Sequence, residues 1–229
     1  MYKHVIAGGC SFTADGVGGL PPTEKYPDGG NSYTYDTGIT VNSWAAYVAK
    51  SINSSSFVNV AVDSHGNYLT AISLVHVISK FNYLPSDTLV LFNITELERY
   101  DVLTTDNENK CKYQTWDQTL LDYNIVDRKI SDPIRKIKGD AQTVESNVIL
   151  NLLTKFLESS NINYRFLMMG DYTHLLDDTL LNNKNLIKLP NGVGMIEYCR
   201  RNQLNISESD FHPTVKGHAS IGKLVLETL

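Results

Sequence analysis

The sequence predicts an α/β fold: a three-layer α/β/α arrangement around a doubly wound parallel sheet of about five strands. Three observations lead to this prediction. Short apolar runs alternate along the chain with longer stretches of helical periodicity, which is the order of strand–helix–strand units. The run at residues 88–94 is continuously apolar, as expected of a strand covered on both faces. Glycines and polar residues follow the strands, at the edge where such sheets bind ligands.

The elements follow from this pattern in order. Strands are predicted at residues 4–8, 57–62, 88–94 and 164–169. A first helix begins near Asn42-Ser43, either of which can cap it, and a second opens at Gly66-Asn67. Further helices are expected at about 142–159, 194–202 and 214–228, the last beginning beside Pro213. The alternation favours parallel strands joined by right-handed crossovers.

One domain is expected over residues 1–229, because no linker-like composition divides the chain. Two segments lack clean periodicity. A long loop at about 15–40 is rich in Gly, Pro and Tyr, and loops of that length are usually functional or mobile. An insertion at about 96–139 is expected to contain one or two short helices.

Charge and cysteine content exclude several classes of function. A formal net charge of -5 without a long basic stretch argues against nucleic acid or an anionic membrane as the main partner. Cys10, Cys111 and Cys199 are odd in number and widely spaced, so neither a disulfide framework nor a metal knuckle is indicated. No cofactor and no metal are predicted, and the oligomeric state is left unknown.

The chain has no window apolar enough to span a membrane, and the apolar stretch at its N-terminus is too short for a signal-peptide core. We therefore expect a soluble protein. The default compartment is the cytoplasm, and association with a virion is left open.

Two segments at opposite ends of the chain contain the residue types of a nucleophilic catalytic site. Ser11 follows the first strand in a Gly9-Cys10-Ser11 turn, which lifts its hydroxyl above the sheet edge. His212 and Asp210 stand just before the last helix; histidine is the usual base for a serine hydroxyl, and a carboxylate orients it. Either segment alone is more often structural, whereas the pair favours catalysis.

Two further segments supply donors for an oxyanion. Gly66, after the second strand, presents its backbone N–H without a side chain in the way. Asn93 and Thr95 lie at the end of the third strand and share a face of it, so either can point toward Ser11. Donors aimed at developing negative charge are a main source of acyl-transfer catalysis.

Taken together and in this order, these segments resemble the blocks of the SGNH (GDSL-type) hydrolase family, including its divergent phage-like members. The resemblance covers most of the chain by order and spacing. It implies a flavodoxin-like sheet, Ser11 as nucleophile, His212 as general base and Asp210 as the orienting acid. It also implies an oxyanion hole formed by the N–H groups of Ser11 and Gly66 with a third donor, for which Asn93 is favoured over Thr95.

The sequence departs from the family pattern at three places. Cys10 replaces the aspartate that precedes the family's nucleophile. Asp210 stands two residues before His212 instead of three, and Ser209 holds the usual position of the acid. The Gly-x-Asn-Asp block after the third strand is missing, which is why the third donor is open.

The implied function is that of a serine hydrolase that cleaves a small-molecule or glycan ester through an acyl-enzyme. O-acetyl groups on carbohydrate are the expected substrate, because tyrosines of the long loop can stack on sugars; these are Tyr26, Tyr33 and Tyr35. Two alternatives stay open. One is a catalytically silent SGNH-like module that binds glycan or protein, and the other is an acyltransferase or thioesterase acting at the same site.

Several residues near these segments have both a functional and a structural interpretation. Cys10 can be proposed as a thiol nucleophile, but a small buried cysteine is the better interpretation. His218 with His212 lacks the ligand spacing typical of zinc. His65 can contact a substrate or be an ordinary solvated loop residue. Arg99 can line a pocket or take part in ordinary loop packing.

Overall fold

The computed structural model describes residues 2–14, 24–25, 31–32, 43–62, 65–81, 83–105, 111–116, 128–208 and 210–229. Most of the predicted loop at about 15–40 lies outside these residues, and so do its three tyrosines. Ser209 lies outside them as well.

A parallel sheet of four strands forms the centre of the fold. The strands are β1 (His4–Gly8), β4 (Ser56–Asn59), β5 (Thr88–Ile94) and β8 (Asn163–Met168). They lie side by side in the order β4–β1–β5–β8. The central strand β5 is buried at every position, because helices cover both of its faces. The predicted parallel α/β sheet is confirmed, with its strands close to the predicted positions.

The predicted number of about five strands is close to the observed four. Next to β8, Leu186 forms an isolated parallel bridge with Phe166. The Phe166 N–H donates to the Asn185 carbonyl at 3.0 Å, and the Ile187 N–H donates to the Phe166 carbonyl at 2.8 Å. The chain therefore pairs with the outer edge of β8 at a single residue, Leu186, and does not form a full fifth strand there.

Helices lie in two layers on either side of the sheet. Their bounds are α1 (Trp44–Ser51), α2 (Asn67–Phe81), α3 (Arg128–Ser159), α4 (Asp178–Leu181), α5 (Met195–Arg201) and α6 (Val215–Leu226). The side chain of Ser43 caps α1 by accepting from the Ala46 N–H, and Thr214 caps α6 by accepting from the Gly217 N–H. Both caps satisfy N–H groups that a helix start leaves unpaired.

The alternation of side chains along the strands divides the core into two clusters. One contains Val5 of β1 and packs against α1, α5 and α6. The other contains Ile6 of β1 and packs against α2 and α3. Because neighbouring residues of a strand point to opposite faces, one apolar strand packs against both helix layers. The polar residues that follow the strand then lie at the edge of the sheet.

The insertion differs from its predicted form. Where one or two short helices were predicted, the described residues of its first half contain an antiparallel pair, β6 (Tyr100–Thr105) and β7 (Cys111–Trp116). Both strands are rich in the β-branched and aromatic residues that favour strands. Helix α3 begins at Arg128, well before the predicted start near residue 142. The added part of the helix lies in the segment without clean periodicity, and it contains Pro133 and Gly139, which are both unfavourable inside a helix.

Two short antiparallel strands, β2 (Glu24–Lys25) and β3 (Asn31–Ser32), form a separate pair. In the part of the chain that the structure describes, no helix combines the length and the apolar character that a membrane crossing requires.

Candidate active site

The turn after β1 has a backbone conformation that only glycine adopts easily. Gly9 has φ 138°, and a Cβ at this position would lie 1.9 Å from Asn93 Oδ1. The Gly9 carbonyl accepts from the Val62 N–H at 3.1 Å. The chain therefore leaves β1 in close contact with two neighbouring segments, and Ser11 emerges half-buried at the strand's carboxyl end.

Thr13 anchors this turn through polar contacts inside the core. Its hydroxyl donates to Asn93 Oδ1 at 2.6 Å and accepts from the indole N–H of Trp44 at 3.0 Å. The side-chain amide of Asn59 donates to the Thr13 carbonyl at 2.9 Å. The turn is thus fixed from β5, α1 and β4 together, which holds Ser11 in one place. Buried hydrogen bonds of this kind are costly to remove.

The loop before α6 brings His212 to the same place. The His212 carbonyl accepts from the Ile206 N–H at 2.9 Å, and the Thr214 N–H donates to the Leu204 carbonyl at 2.7 Å. The His212 ring stacks on Phe12, with ring centroids 4.7 Å apart and an interplanar angle of 26°. The loop is held by backbone hydrogen bonds and the ring is stacked on Phe12, so the imidazole has little freedom to turn away from Ser11.

Ser11, His212 and Asp210 form a continuous chain of hydrogen bonds. His212 Nε2 lies 2.8 Å from Ser11 Oγ, and His212 Nδ1 lies 2.7 Å from Asp210 Oδ1. In the neutral imidazole whose hydrogen is on Nδ1, Nδ1 donates to Asp210, and Nε2 accepts from the Ser11 hydroxyl. We call these three residues the nucleophile triad. Its distances suit transfer of the serine proton to the imidazole.

Asp210 is held in its ionised form by His212. The imidazole N–H, and then the His212 backbone N–H at 3.1 Å, donate to the Asp210 carboxylate and lower its pKa from the ordinary value. The side chains of Asp210 and His212 are 44% and 41% exposed. The acid and base are therefore partly exposed to solvent.

Gly66 lies where the sequence places it, at the start of α2, but its N–H is occupied. It donates to Asp101 Oδ1 at 3.0 Å, while the Leu69 N–H donates to Asp101 Oδ2 at 2.8 Å. Asp101 belongs to β6, in the insertion. A carboxylate of the chain itself thus binds the N–H group predicted to receive the oxyanion.

The side chain of Asn93 is directed into the protein. Asn93 is fully buried, and its Oδ1 accepts from the Thr13 hydroxyl and, at 3.3 Å, from the Cys10 N–H. Its Nδ2 lies 3.4 Å from both Cys10 Sγ and the Ile94 carbonyl. The structure therefore shows Asn93 holding the nucleophile turn, and its role as third oxyanion donor stays a prediction.

Thr95 is also fully buried. Its N–H donates to Asn67 Oδ1 at 2.9 Å, which ties the exit of β5 to the start of α2. Its hydroxyl has no hydrogen-bond partner among the described residues. Thr95 therefore retains an unused donor at the strand exit, so the choice between Asn93 and Thr95 stays open.

Cys10 lies in the core. Its side chain is fully buried, and its Sγ lies 3.4 Å from Met169 Sδ. Burial raises the pKa of the Cys10 thiol above its ordinary value. A buried thiol with a raised pKa is a poor nucleophile, so this arrangement favours Ser11 as the attacking residue.

His218 is buried within α6, where burial lowers its pKa to about 4. Within the described ranges, no three or more His, Cys, Asp or Glu side chains cluster as a metal site would require.

Sequence reasoning missed four residues that position the site: Asp101, Asn59, Thr13 and Trp44. Asp101 lies in the aperiodic insertion, where no pattern indicated contact with α2. Asn59 had a weak signal, because a polar residue in a valine-rich strand near its exit requires a partner. Thr13 and Trp44 join segments 31 residues apart, and such a contact leaves no local sequence pattern.

Comparison with known proteins finds solved structures with a similar fold. No protein-family model and no curated protein sequence matches the chain. Among solved structures, the psychrotrophic esterase EstA from Pseudoalteromonas sp., in a structure inhibited by monoethylphosphonate, is similar over 99% of this chain and 96% of its own, with a TM-score of 0.51 and 9% identity. This likeness is one of fold, and it supports the SGNH-like fold that the sequence predicts. The YxiM protein of Bacillus subtilis matches all of this chain with a TM-score of 0.50 and 12% identity, although only 56% of that protein is covered.

Proposed function

We propose that this protein is a serine esterase in which the nucleophile triad performs acyl transfer to water. The hydrogen-bonded series from Ser11 through His212 to Asp210 carries the proposal. The likeness in fold to an esterase agrees with it, but at 9% identity such a likeness speaks for fold alone, because one fold hosts many functions.

In the proposed first half-reaction, Ser11 Oγ attacks the ester carbonyl carbon while its proton passes to His212 Nε2. The carbonyl π electrons move onto oxygen and form the oxyanion. When the carbonyl re-forms, the alcohol leaves with the proton from Nε2, and the acyl group stays on Ser11. In the second half-reaction, water gives a proton to His212 and attacks the acyl-enzyme, which releases the acid and restores Ser11.

Asp210 has the role of orienting the base. An ionised carboxylate that accepts from Nδ1 keeps the lone pair of Nε2 toward Ser11, and it stabilises the imidazolium formed in each half-reaction. For the oxyanion we propose the backbone N–H groups of Ser11 and Gly66, with Asn93 or Thr95 as the third donor.

We propose small O-acyl esters as substrates, with acetyl groups on carbohydrate first among them. The exposure of the base and its acid supports this choice, because an open site admits an ester attached to a bulky polar carrier. Rates on p-nitrophenyl esters from acetate to octanoate, together with acetate release from acetylated xylan, test it. A preference for octanoate without acetate release would contradict it.

Fluorophosphonate labelling followed by mass spectrometry tests the proposed nucleophile. We expect one adduct, on the peptide that contains Ser11, and no adduct in Ser11→Ala. Ser159→Ala, which removes an exposed hydroxyl at the end of α3, is the matched control and should label like wild type. Labelling that persists in Ser11→Ala would contradict the proposal.

A catalytically silent binding module is the second candidate, and a specific observation favours it. The Gly66 N–H is occupied by Asp101, and Asn93 is engaged in the core, so two of the proposed oxyanion donors are paired within the protein. A silent module predicts that p-nitrophenyl acetate turnover is equal in wild type and Ser11→Ala.

A further inference from the structure

The contact between Asp101 and the start of α2 concerns the oxyanion site itself. Both oxygens of one carboxylate accept backbone N–H groups, from Gly66 at 3.0 Å and from Leu69 at 2.8 Å. Backbone N–H groups at a helix start attract anions because they are unpaired and lie at the positive end of the helix dipole. The structure therefore shows a carboxylate bound to the N–H group that we propose as an oxyanion donor.

The approach of this carboxylate to Gly66 leaves no space between them. A Cβ on Gly66 would lie 2.8 Å from Asp101 Oδ2 and 2.9 Å from Oδ1. An ester oxygen cannot reach the Gly66 N–H while the carboxylate is there. The developing oxyanion would also be repelled by the negative charge of Asp101.

We propose that Asp101 is an autoinhibitory contact: its carboxylate occupies the Gly66 donor, and catalysis requires it to leave. This inference rests on the proposed esterase function. It explains how a chain with an assembled nucleophile triad can have a closed oxyanion donor. The site is then active only in the state in which Asp101 has released α2.

A purely structural role for Asp101 makes different predictions. Side chains that accept N–H groups at a helix start stabilise the helix. Loss of a stabilising cap lowers the thermal midpoint and leaves the rate unchanged or reduced. Loss of an autoinhibitory contact raises the rate, whatever happens to the midpoint.

The first experiment compares p-nitrophenyl acetate hydrolysis by wild type, Asp101→Ala and Asp101→Asn. Because one oxyanion donor is worth on the order of 100-fold in rate, we expect Asp101→Ala to raise kcat/KM by about tenfold or more. Asp101→Asn keeps an acceptor oxygen but loses the charge, so its rise should be smaller. Asp178→Ala, which removes an exposed carboxylate from the first turn of α4, should behave like wild type.

The second experiment is a crystal structure of wild type inhibited by a small alkyl phosphonate. We expect the phosphonyl oxygen to accept from the Gly66 N–H, with Asp101 displaced from it. An adduct on Ser11 with Asp101 still bound to Gly66 would overturn the proposal. So would folded Asp101→Asn and Asp101→Ala proteins that are no faster than wild type.

The failures of the two proposals are distinguishable. If wild type labels at Ser11 but the Asp101 variants label no faster, the esterase stands and autoinhibition is overturned. If wild type and both Asp101 variants all fail to label at Ser11, both proposals are overturned together.

Discussion

The nucleophile triad and the donor residues Gly66, Asn93 and Thr95 lie at the same edge of the sheet, but their polar groups are used differently. In the triad, the hydrogen bonds run in series from the Ser11 hydroxyl through His212 to Asp210, and His212 and Asp210 are partly open to solvent. Among the donor residues, the Gly66 N–H donates to Asp101, and the Asn93 Nδ2 group contacts Cys10 Sγ and the Ile94 carbonyl inside the protein. This difference indicates that the groups for nucleophilic attack and the groups for oxyanion stabilisation need not be in place in the same conformation of the protein.

The largest expected effect is the loss of activity on substitution of the base. His212→Ala should lower kcat for p-nitrophenyl acetate by about 10⁴-fold, or about 5.5 kcal/mol of transition-state stabilisation, while the thermal midpoint changes little because the side chain is partly exposed. Steady-state kinetics with thermal unfolding checks this.

The matched control is His76→Ala, which removes an exposed histidine from α2 and should leave kcat unchanged. A loss in His212→Ala of less than tenfold would show that the triad does not transfer the proton.

Substitution of Asn93 should have the opposite signature, with loss of stability and little change in rate. Asn93→Ala leaves the Cys10 N–H and the Thr13 hydroxyl without their buried acceptor, so we expect the free energy of unfolding to fall by about 3 kcal/mol. Denaturant unfolding measures it, and kcat per folded molecule should stay within a few-fold of wild type.

Thr95→Val distinguishes the two candidates for third donor, because it removes a hydroxyl while preserving the shape of the side chain. A fall in kcat of about 100-fold in this variant would assign the donor to Thr95. A similar fall in Asn93→Ala, without loss of stability, would assign it to Asn93 and break the contrast between the two regions.

An effect smaller than that of His212→Ala is expected at Asp210. Asp210→Asn should lower kcat by about 100-fold, because the imidazole loses its orienting carboxylate at a position that water also reaches. Kinetics at constant pH checks this, with Asp171→Asn as the exposed control. If Asp210→Asn keeps full activity, Asp210 has no part in orienting the base.

The lowered pKa of Asp210 also predicts a dependence of stability on pH. A carboxyl with a depressed pKa in the folded state contributes stability above its unfolded pKa, and the contribution is lost as pH falls through the folded pKa. The advantage of wild type over Asp210→Asn in unfolding free energy should therefore be present at about pH 5 and shrink below about pH 4. Urea unfolding at several pH values measures it, and an advantage that grows on acidification would contradict it.

The smallest expected effect is that of thiol reagents. Cys10 and Cys199 are buried with raised thiol pKa values, so iodoacetamide should leave esterase activity unchanged in a Cys111→Ser background. Labelling of Cys10 in the native protein, with parallel loss of activity, would favour the thiol as nucleophile. Labelling after unfolding in urea confirms that the reagent is active.

The sequence predicted those parts of the fold whose patterns are local. The bounds of Thr88–Ile94 could be read because a strand covered on both faces must be apolar along its length. Ser11 and His212 lie 201 residues apart. Both could still be predicted from the elements beside them, because Ser11 follows the first strand and His212 precedes the last helix.

Contacts between distant segments could not be predicted in the same way. Strand alternation placed Asn93 and Thr95 on one face, but only the packed turn shows that the Asn93 amide is used within the core. The contact of Asp101 with Gly66 joins the insertion to α2, and a single carboxylate in an aperiodic segment does not indicate its partner.

The most direct test of the central claim is the steady-state rate of p-nitrophenyl acetate hydrolysis by wild type and Ser11→Ala at matched folded concentration. The nucleophile triad predicts that Ser11→Ala loses about 10⁴-fold in kcat or more, with a thermal midpoint close to that of wild type. Equal rates in the two proteins would contradict the assignment of Ser11 as the nucleophile.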